Sequence, residues 1–281
     1  MKFMPTNNGA GRRQSLLQTR LQVDRFAFTL TELVVVMATM ALLAVVLLPA
    51  LAASSGERAS RTACMNNLRQ IGIVMTVYAG NNEDYVYPCR SQSGGGYVPD
   101  CLNPSVALTN IGVLPTNNPA PFWTCPNRPG LPASDAANRQ YVIGYQYFGG
   151  MARWYPQLTQ VFDPATGLAW SPIKLSASKP WWALAADCNL QVNGQWGNTD
   201  SLTGAYNNIP PHHASGSLTP AGGNEVFADG SAQWCNYETM WCLHSWKTVG
   251  ARYCFWYQDP QDFSLQLTVE LLPVLSARYY Q

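Results

Sequence analysis

Residues 25–53 read RFAFTLTELVVVMATMALLAVVLLPALAA, and the reading of this stretch decides the fold. From Leu33 to Ala53 the chain has 21 residues without a charge, and one carboxylate, Glu32, stands at their entrance. As a helix rising 1.5 Å per residue, such a run extends about 31 Å, enough to cross the hydrocarbon core of a bilayer. Lys2, Arg12, Arg13, Arg20 and Arg25 precede it against a single acid, Asp24. Positive charge on one flank stays on the cytoplasmic side, so the rest of the chain is expected to face outward. A buried core helix is the plainer alternative, and both the length of the run and its one-sided basic flank argue against it.

Two ordinary explanations remain for this segment. One is a simple signal anchor. The other is a secretory signal peptide, since Ala50-Leu51-Ala52 has the small-x-small form of a cleavage site. Pro49, just before that site, suits the second explanation, whereas the length of the run exceeds the usual apolar region of a signal peptide. Neither accounts for Glu32.

Composition narrows the function classes. The chain has 281 residues, 47% hydrophobic and only 12% charged, with a formal net charge of +1. So small a charge offers no electrostatic footprint for nucleic acid. Beyond the first fifty or so positions about 220 residues remain, enough for one or two domains with a real core. They are rich in Trp, Tyr, Pro, Gly and Asn, a composition that suits strands joined by long loops. The eight cysteines (Cys64, Cys89, Cys101, Cys125, Cys188, Cys235, Cys242 and Cys254) form no CxxC pair and no Cys/His cluster with zinc-ligand spacing. An even count after a membrane segment points to disulfides in an oxidising compartment. Cys89 and Cys101, flanking a Gly/Ser-rich loop, are the best local bridge, with buried free thiols as the alternative.

The string Ala27-Phe28-Thr29-Leu30-Thr31-Glu32-Leu33 resembles the processing site of type IV pilins and of the pseudopilins of type II secretion. The resemblance implies that a prepilin peptidase cuts between Ala27 and Phe28 and methylates the new amine. Glu32 then becomes the fifth mature residue, and Pro49 falls where many pilins carry a proline. Ala27 replaces the family's usual glycine, and the leader is long for the family. The physics of Glu32 agrees with the resemblance. A lone carboxylate in hydrocarbon costs a few kcal/mol, so it is normally paired. Cleavage creates an amine four residues away, one helical turn. The carboxylate can equally reach the amine of a neighbouring copy, and that pair favours one axial register because a slipped neighbour leaves two charges unmatched. The bland alternative leaves Glu32 in the headgroup region.

Beyond Gly56 the pattern turns amphipathic. Cys64, Leu68, Ile71, Met75 and Tyr78 share one helical face, with Arg58, Arg61, Asn66 and Arg69 mostly elsewhere, and Gly80-Asn81-Asn82 stops the helix. Helix from Phe28 to this stop would be about 78 Å long, with Pro49 and Ser54-Ser55-Gly56 expected to kink or loosen it and its outer half lying on a globular head. The segment ERASRTACMNNLRQIGIVMTVYAGNNEDYVYP (57–88), with FWTCPNRP (122–129) and YVIGYQYFGG (141–150), resembles a narrower group, the prepilin-type H-X9-DG class. That resemblance implies that Cys125 meets Cys64 and staples stem to head. The chain departs from the group at its defining motif, because fifteen residues separate His213 from Asp229-Gly230, with SGSLTPAGG as an insertion. The resemblance runs from about Ala27 to about Trp234 and does not extend to the tail 235–281.

Within the head, WWALAADCN (181–189) reads as a buried strand ending in Asp187, and NEVFADG (224–230) as a second ending at Asp229, with His213 on the loop between them. Asp187, His213 and Asp229 are the candidate ligands of a hard cation such as calcium, or the makings of an acid/base site. The favoured reading is structural, since Asp before Gly is a turn signature. No serine elbow, P-loop, HExxH or EF-hand loop is present. The aromatic stretches RWYP (153–156), KPWW (179–182) and YCFWYQ (253–258) raise a glycan-binding alternative.

The sequence therefore predicts an α+β pilin-like fold. A leader (1–27) precedes a hydrophobic transmembrane and assembly helix (28–56) and an amphipathic stem (57–80). A head (81–281) of antiparallel sheet with long disulfide-tied loops follows. The expected function is that of a filament subunit without enzymatic activity or cofactor. Its single helix would sit in the inner membrane with the head in the periplasm, then at the cell surface once assembled. Its partners would be prepilin peptidase and copies of itself or other pilins. An anchored or secreted protein that binds a glycan or cation is the runner-up, and a secreted enzyme ranks third.

Overall fold

The computed structural model of the chain describes residues 29–91, 96–102, 121–128, 130–136, 138–154, 170–197, 209–213, 216–247 and 251–280. Two compact units divide the chain, one ending at Leu51 and the other spanning Ala52–Gln281. Helix α1 (Leu30–Gly80) begins in the first and ends in the second.

The start of α1 is fixed by a reciprocal cap. The Thr29 backbone N–H donates to Glu32 Oε2 at 2.9 Å, and the Glu32 N–H donates to Thr29 Oγ1 at 3.2 Å. Thr-x-x-Glu is the capping-box pattern, which satisfies backbone donors that the first turn leaves without partners. These bonds, backbone first and then the Thr29 hydroxyl, hold the Glu32 carboxyl below its usual pKa. Every described side chain from Thr29 to Val45 is exposed, including Leu30, Val34, Met37, Leu42 and Val45.

The expected transmembrane stem is corrected here. No helix among the described residues is long and apolar enough to cross a membrane. From Glu57 onward the helix carries Arg58, Arg61 and Arg69. An inner-membrane anchor through this helix, with a head held in the periplasm by it, is therefore not supported. Nor does the helix break at Pro49 or at Ser54-Ser55-Gly56: α1 runs through the boundary expected between 56 and 57.

In the second unit, Cys64, Leu68, Ile71 and Met75 are completely buried, forming the stripe that the helical spacing predicts. The helix stops because Asn81 and Asn82 return side-chain bonds to the carbonyls of Val77 and Tyr78, at 3.0 and 2.7 Å, while Glu83 and Asp84 adopt positive φ. Those side chains satisfy carbonyls that the last turn leaves open, and the left-handed pair reverses the chain.

Among the described residues, three antiparallel sheets replace the single one expected. One orders β1 (Cys89–Ser91), β2 (Tyr97–Leu102), β4 (Gln140–Val142) and β3 (Ala133–Asp135). A second orders β5 (Tyr145–Tyr147), β6 (Ala183–Asp187), β8 (Gly222–Phe227) and β9 (Ala232–Asn236). The third orders β10 (Trp241–Lys247), β11 (Ala251–Trp256) and β7 (Asn189–Val192). Strands β6 and β8 are buried along their whole length, which explains why they read as runs rather than as alternations. Helix α1 lies against the second sheet: a Cβ on Gly72 would meet Val226 Cγ2 at 3.1 Å, and Tyr147 OH sits 3.1 Å from the Met75 sulfur.

The disulfide expectation is corrected as well. All eight cysteines are buried, and none is joined in a disulfide. Cys89 and Cys101 lie on paired strands, where Cys89 faces Leu102, but no bond joins them. Apolar packing and ladder hydrogen bonds hold these elements instead. Much of the aromatic surface proposed for glycans is core. Trp154, Phe255 and Trp256 are buried, and Trp154 packs edge-on against Trp256 at 5.3 Å. The indoles of Trp181 and Trp182 both donate to Asp262 Oδ2, at 3.2 and 2.8 Å.

Candidate functional site

Asp187, the last residue of β6, is completely enclosed. Its Oδ2 accepts from the Asn224 backbone N–H at 2.7 Å and from Asn224 Nδ2 at 2.8 Å, and lies 3.2 Å from His212 Nε2. Its Oδ1 has no hydrogen-bond partner. Asn224 stands on β8, the neighbour of β6, and its amide also donates to the Arg61 carbonyl of α1 at 3.1 Å. One side chain thus ties strand, strand and helix together.

His212 reaches this point from the loop before β8. The bridge between His213 and Pro220 and the bond from Ala221 N–H to the His212 carbonyl shape that loop. Its Nδ1 lies 2.8 Å from Glu57 Oε1, the same oxygen that Arg61 Nε bonds at 2.8 Å. Arg61 in turn lays its guanidinium 3.9 Å over Trp234, whose ring meets His212 edge-on. Burial disfavours charge on His212, but its bond to Asp187 and the two carboxylates outweigh that effect and raise its pKa above the ordinary value. The imidazole therefore stands between a fully buried carboxylate and a partly exposed one.

Beside Asp187 lie two thiols. Cys64 comes from α1 and Cys125 from the loop after a short 3-10 turn, and their sulfurs are 3.3 Å apart with neither exposed. The two sulfurs and a carboxylate oxygen of Asp187 all fall within 4.8 Å of one another. Contact with Cys125, then burial and the Asp187 charge, push the Cys64 thiol far up, so it is protonated. Asn67, one turn along α1, donates to the Thr124 carbonyl at 2.9 Å and to Tyr145 OH at 3.0 Å, fixing the helix against this loop. Gly144 also packs closely against this loop, where a Cβ would stand 2.6 Å from Cys125 N.

Of the three predicted ligands, Asp187 alone enters this cluster. His213 is exposed, and its neighbour His212 takes the buried place. Asp229 is exposed in the β8–β9 turn, where its Oδ1 accepts from Ser231 N–H at 2.8 Å and Gly230 supplies the positive φ, as the turn reading expects. Ala27 and Phe28 lie outside the described residues, while Glu32 and Pro49 fall within α1. Sequence reasoning missed Glu57 and Asn224, and of the two adjacent histidines it chose His213 over His212. Adjacent histidines in a loop carry no periodicity to say which one turns inward. The meeting of Cys64 with Cys125 was implied by family resemblance, and it occurs here between thiols.

Comparison with protein-family models, with curated proteins and with solved structures finds no match to the chain.

Proposed function

We propose that the chain is a structural subunit of a filament of the type IV pilus or type II pseudopilus kind, processed by prepilin peptidase before Phe28. The observation that carries this reading is the segment from Leu30 to Val45. Its apolar side chains are exposed around the whole helix, and its one carboxylate sits in the first turn. An apolar surface of this extent marks an interaction site. A helix apolar on every side is suited to burial among other helices, and copies of the same segment provide such an environment. Within the chain Glu32 caps its own helix. In the filament it takes up the amine that cleavage before Phe28 creates on a neighbouring copy, which sets the register of the bundle.

The test is Glu32→Ala in cells that make the filament. Polymer should be lost while the purified variant keeps the thermal transition of Ala52–Gln281, a unit that does not contain Glu32. Wild-type polymer levels in the variant would refute the assignment.

A further inference from the structure

We propose that Cys64, Cys125 and Asp187 form a binding site for a thiophilic divalent cation, with Zn2+ as its natural occupant. Three observations converge on it. The two sulfurs and a carboxylate oxygen are mutually within 4.8 Å, and all three residues are fully enclosed. The sulfurs stand 3.3 Å apart, whereas two thiolates about 2.3 Å from a tetrahedral ion would be about 3.8 Å apart, so binding asks for an adjustment of about half an ångström. Finally, Asp187 Oδ1 is enclosed without a hydrogen-bond partner while Oδ2 is heavily engaged. A buried carboxylate oxygen left without a partner is costly, and coordination to a cation would satisfy it.

The donor chemistry selects the ion. Two thiolates and one carboxylate suit Zn2+ and its softer congeners, while calcium takes oxygen ligands only. Binding exchanges two thiol protons for the cation: each S–H bond breaks, its electron pair forms an S–metal bond, and both protons leave to solvent. The surroundings already have the form of an outer shell. His212 and Asn224 hold the ligating carboxylate in orientation through Oδ2, and Glu57 orients His212 from behind. A small donor such as water completes three protein ligands. Because Cys64 belongs to α1, Cys125 to a loop and Asp187 to β6, the ion would fasten the helix to the sheet, and its binding energy would become folding energy.

The experiment uses the full chain purified under reducing conditions. Metal content is read by mass spectrometry of the elements, and binding by titration with Cd2+, which develops a thiolate-to-metal charge-transfer band. The expected result is one Cd2+ per chain, two protons released, and a thermal transition that rises with Zn2+ and falls with a chelator. Cys64→Ser should weaken binding at least about tenfold, whereas Cys254→Ser, which removes a buried thiol outside the cluster, should leave it unchanged. Absence of the charge-transfer band in the wild-type chain would overturn the site. So would equal Cd2+ binding by Cys64→Ser, or a mass showing that Cys64 and Cys125 are joined as a disulfide in protein handled without reductant. None of these outcomes depends on whether the chain polymerises.

Discussion

His212 Nε2 and Asp187 Oδ2 meet at 3.2 Å with neither side chain in contact with solvent. The same imidazole meets Glu57 on its other nitrogen, but Glu57 keeps about a third of its side chain exposed, at 32%. The two halves of the bridge should therefore differ in weight. Asp187→Asn, assayed with chelator present, removes the enclosed carboxylate that faces His212 and accepts from Asn224, and breaking such a buried pair should cost about 3–5 kcal/mol. Glu57→Gln removes a screened charge and should cost about 1 kcal/mol or less. Denaturant unfolding of the two variants checks the ranking, and equal losses would contradict it.

His244, on β10, supplies the clearest pH dependence. Burial depresses its pKa to about 4, and its Nε2–H donates to the Tyr97 carbonyl at 2.9 Å, which opposes the shift without reversing it. The unfolded chain takes up this proton below pH 6.5, while the native state does so only near 4. Stability from this group is thus complete above pH 6.5 and is lost as pH falls from 6.5 towards 4. The loss amounts to about 3 kcal/mol. His244→Gln, which keeps a donor for Tyr97, should flatten that part of the stability curve. An unchanged slope would show that another group causes it.

Asn67 joins α1 to both the Thr124 carbonyl and the Tyr145 hydroxyl. Asn67→Leu removes both bonds from a partly buried site and should destabilise by about 1–3 kcal/mol in thermal unfolding. Asn66, which meets Arg69 at 3.4 Å on the exposed face, serves as the control. Its replacement by Ala should shift stability by no more than about 0.5 kcal/mol.

Gly144 tests the packing of the Cys125 loop. A methyl group there would stand 2.6 Å from Cys125 N and 3.0 Å from the Trp123 carbonyl, both backbone atoms that cannot rotate away. Gly144→Ala should cost at least about 1–3 kcal/mol. Gly56→Ala on α1, with nothing within 4 Å of its Cβ, should be neutral or slightly stabilising, since alanine favours helix. Similar behaviour of the two variants would show that the loop does not press on Gly144.

Some of this was legible in sequence for stated reasons. The spacing of Cys64, Leu68, Ile71 and Met75 marks the buried helix face because side chains three and four apart share a face. The strand ending at Asp187 and the Asp229-Gly230 turn were readable from a short apolar run and from turn chemistry. Thr29-x-x-Glu32 also has a local meaning, a helix cap, that the family resemblance overshadowed. The third sheet was not legible. Strands β10 and β11 bury residues on both faces, so WCLHSWK and ARYCFW show no clean alternation. The cluster itself draws on α1, a loop, β6 and a second loop, and no local pattern announces donors that only the tertiary fold assembles.

The filament reading rests most directly on the N-terminus of the mature protein. Its intact mass and first residue should be determined on protein isolated from the cells that make it. A chain beginning at Phe28 with one added methyl group is the predicted result, and it would give Glu32 its partner amine. A chain beginning at Ala53, or one retaining Met1, would contradict the account.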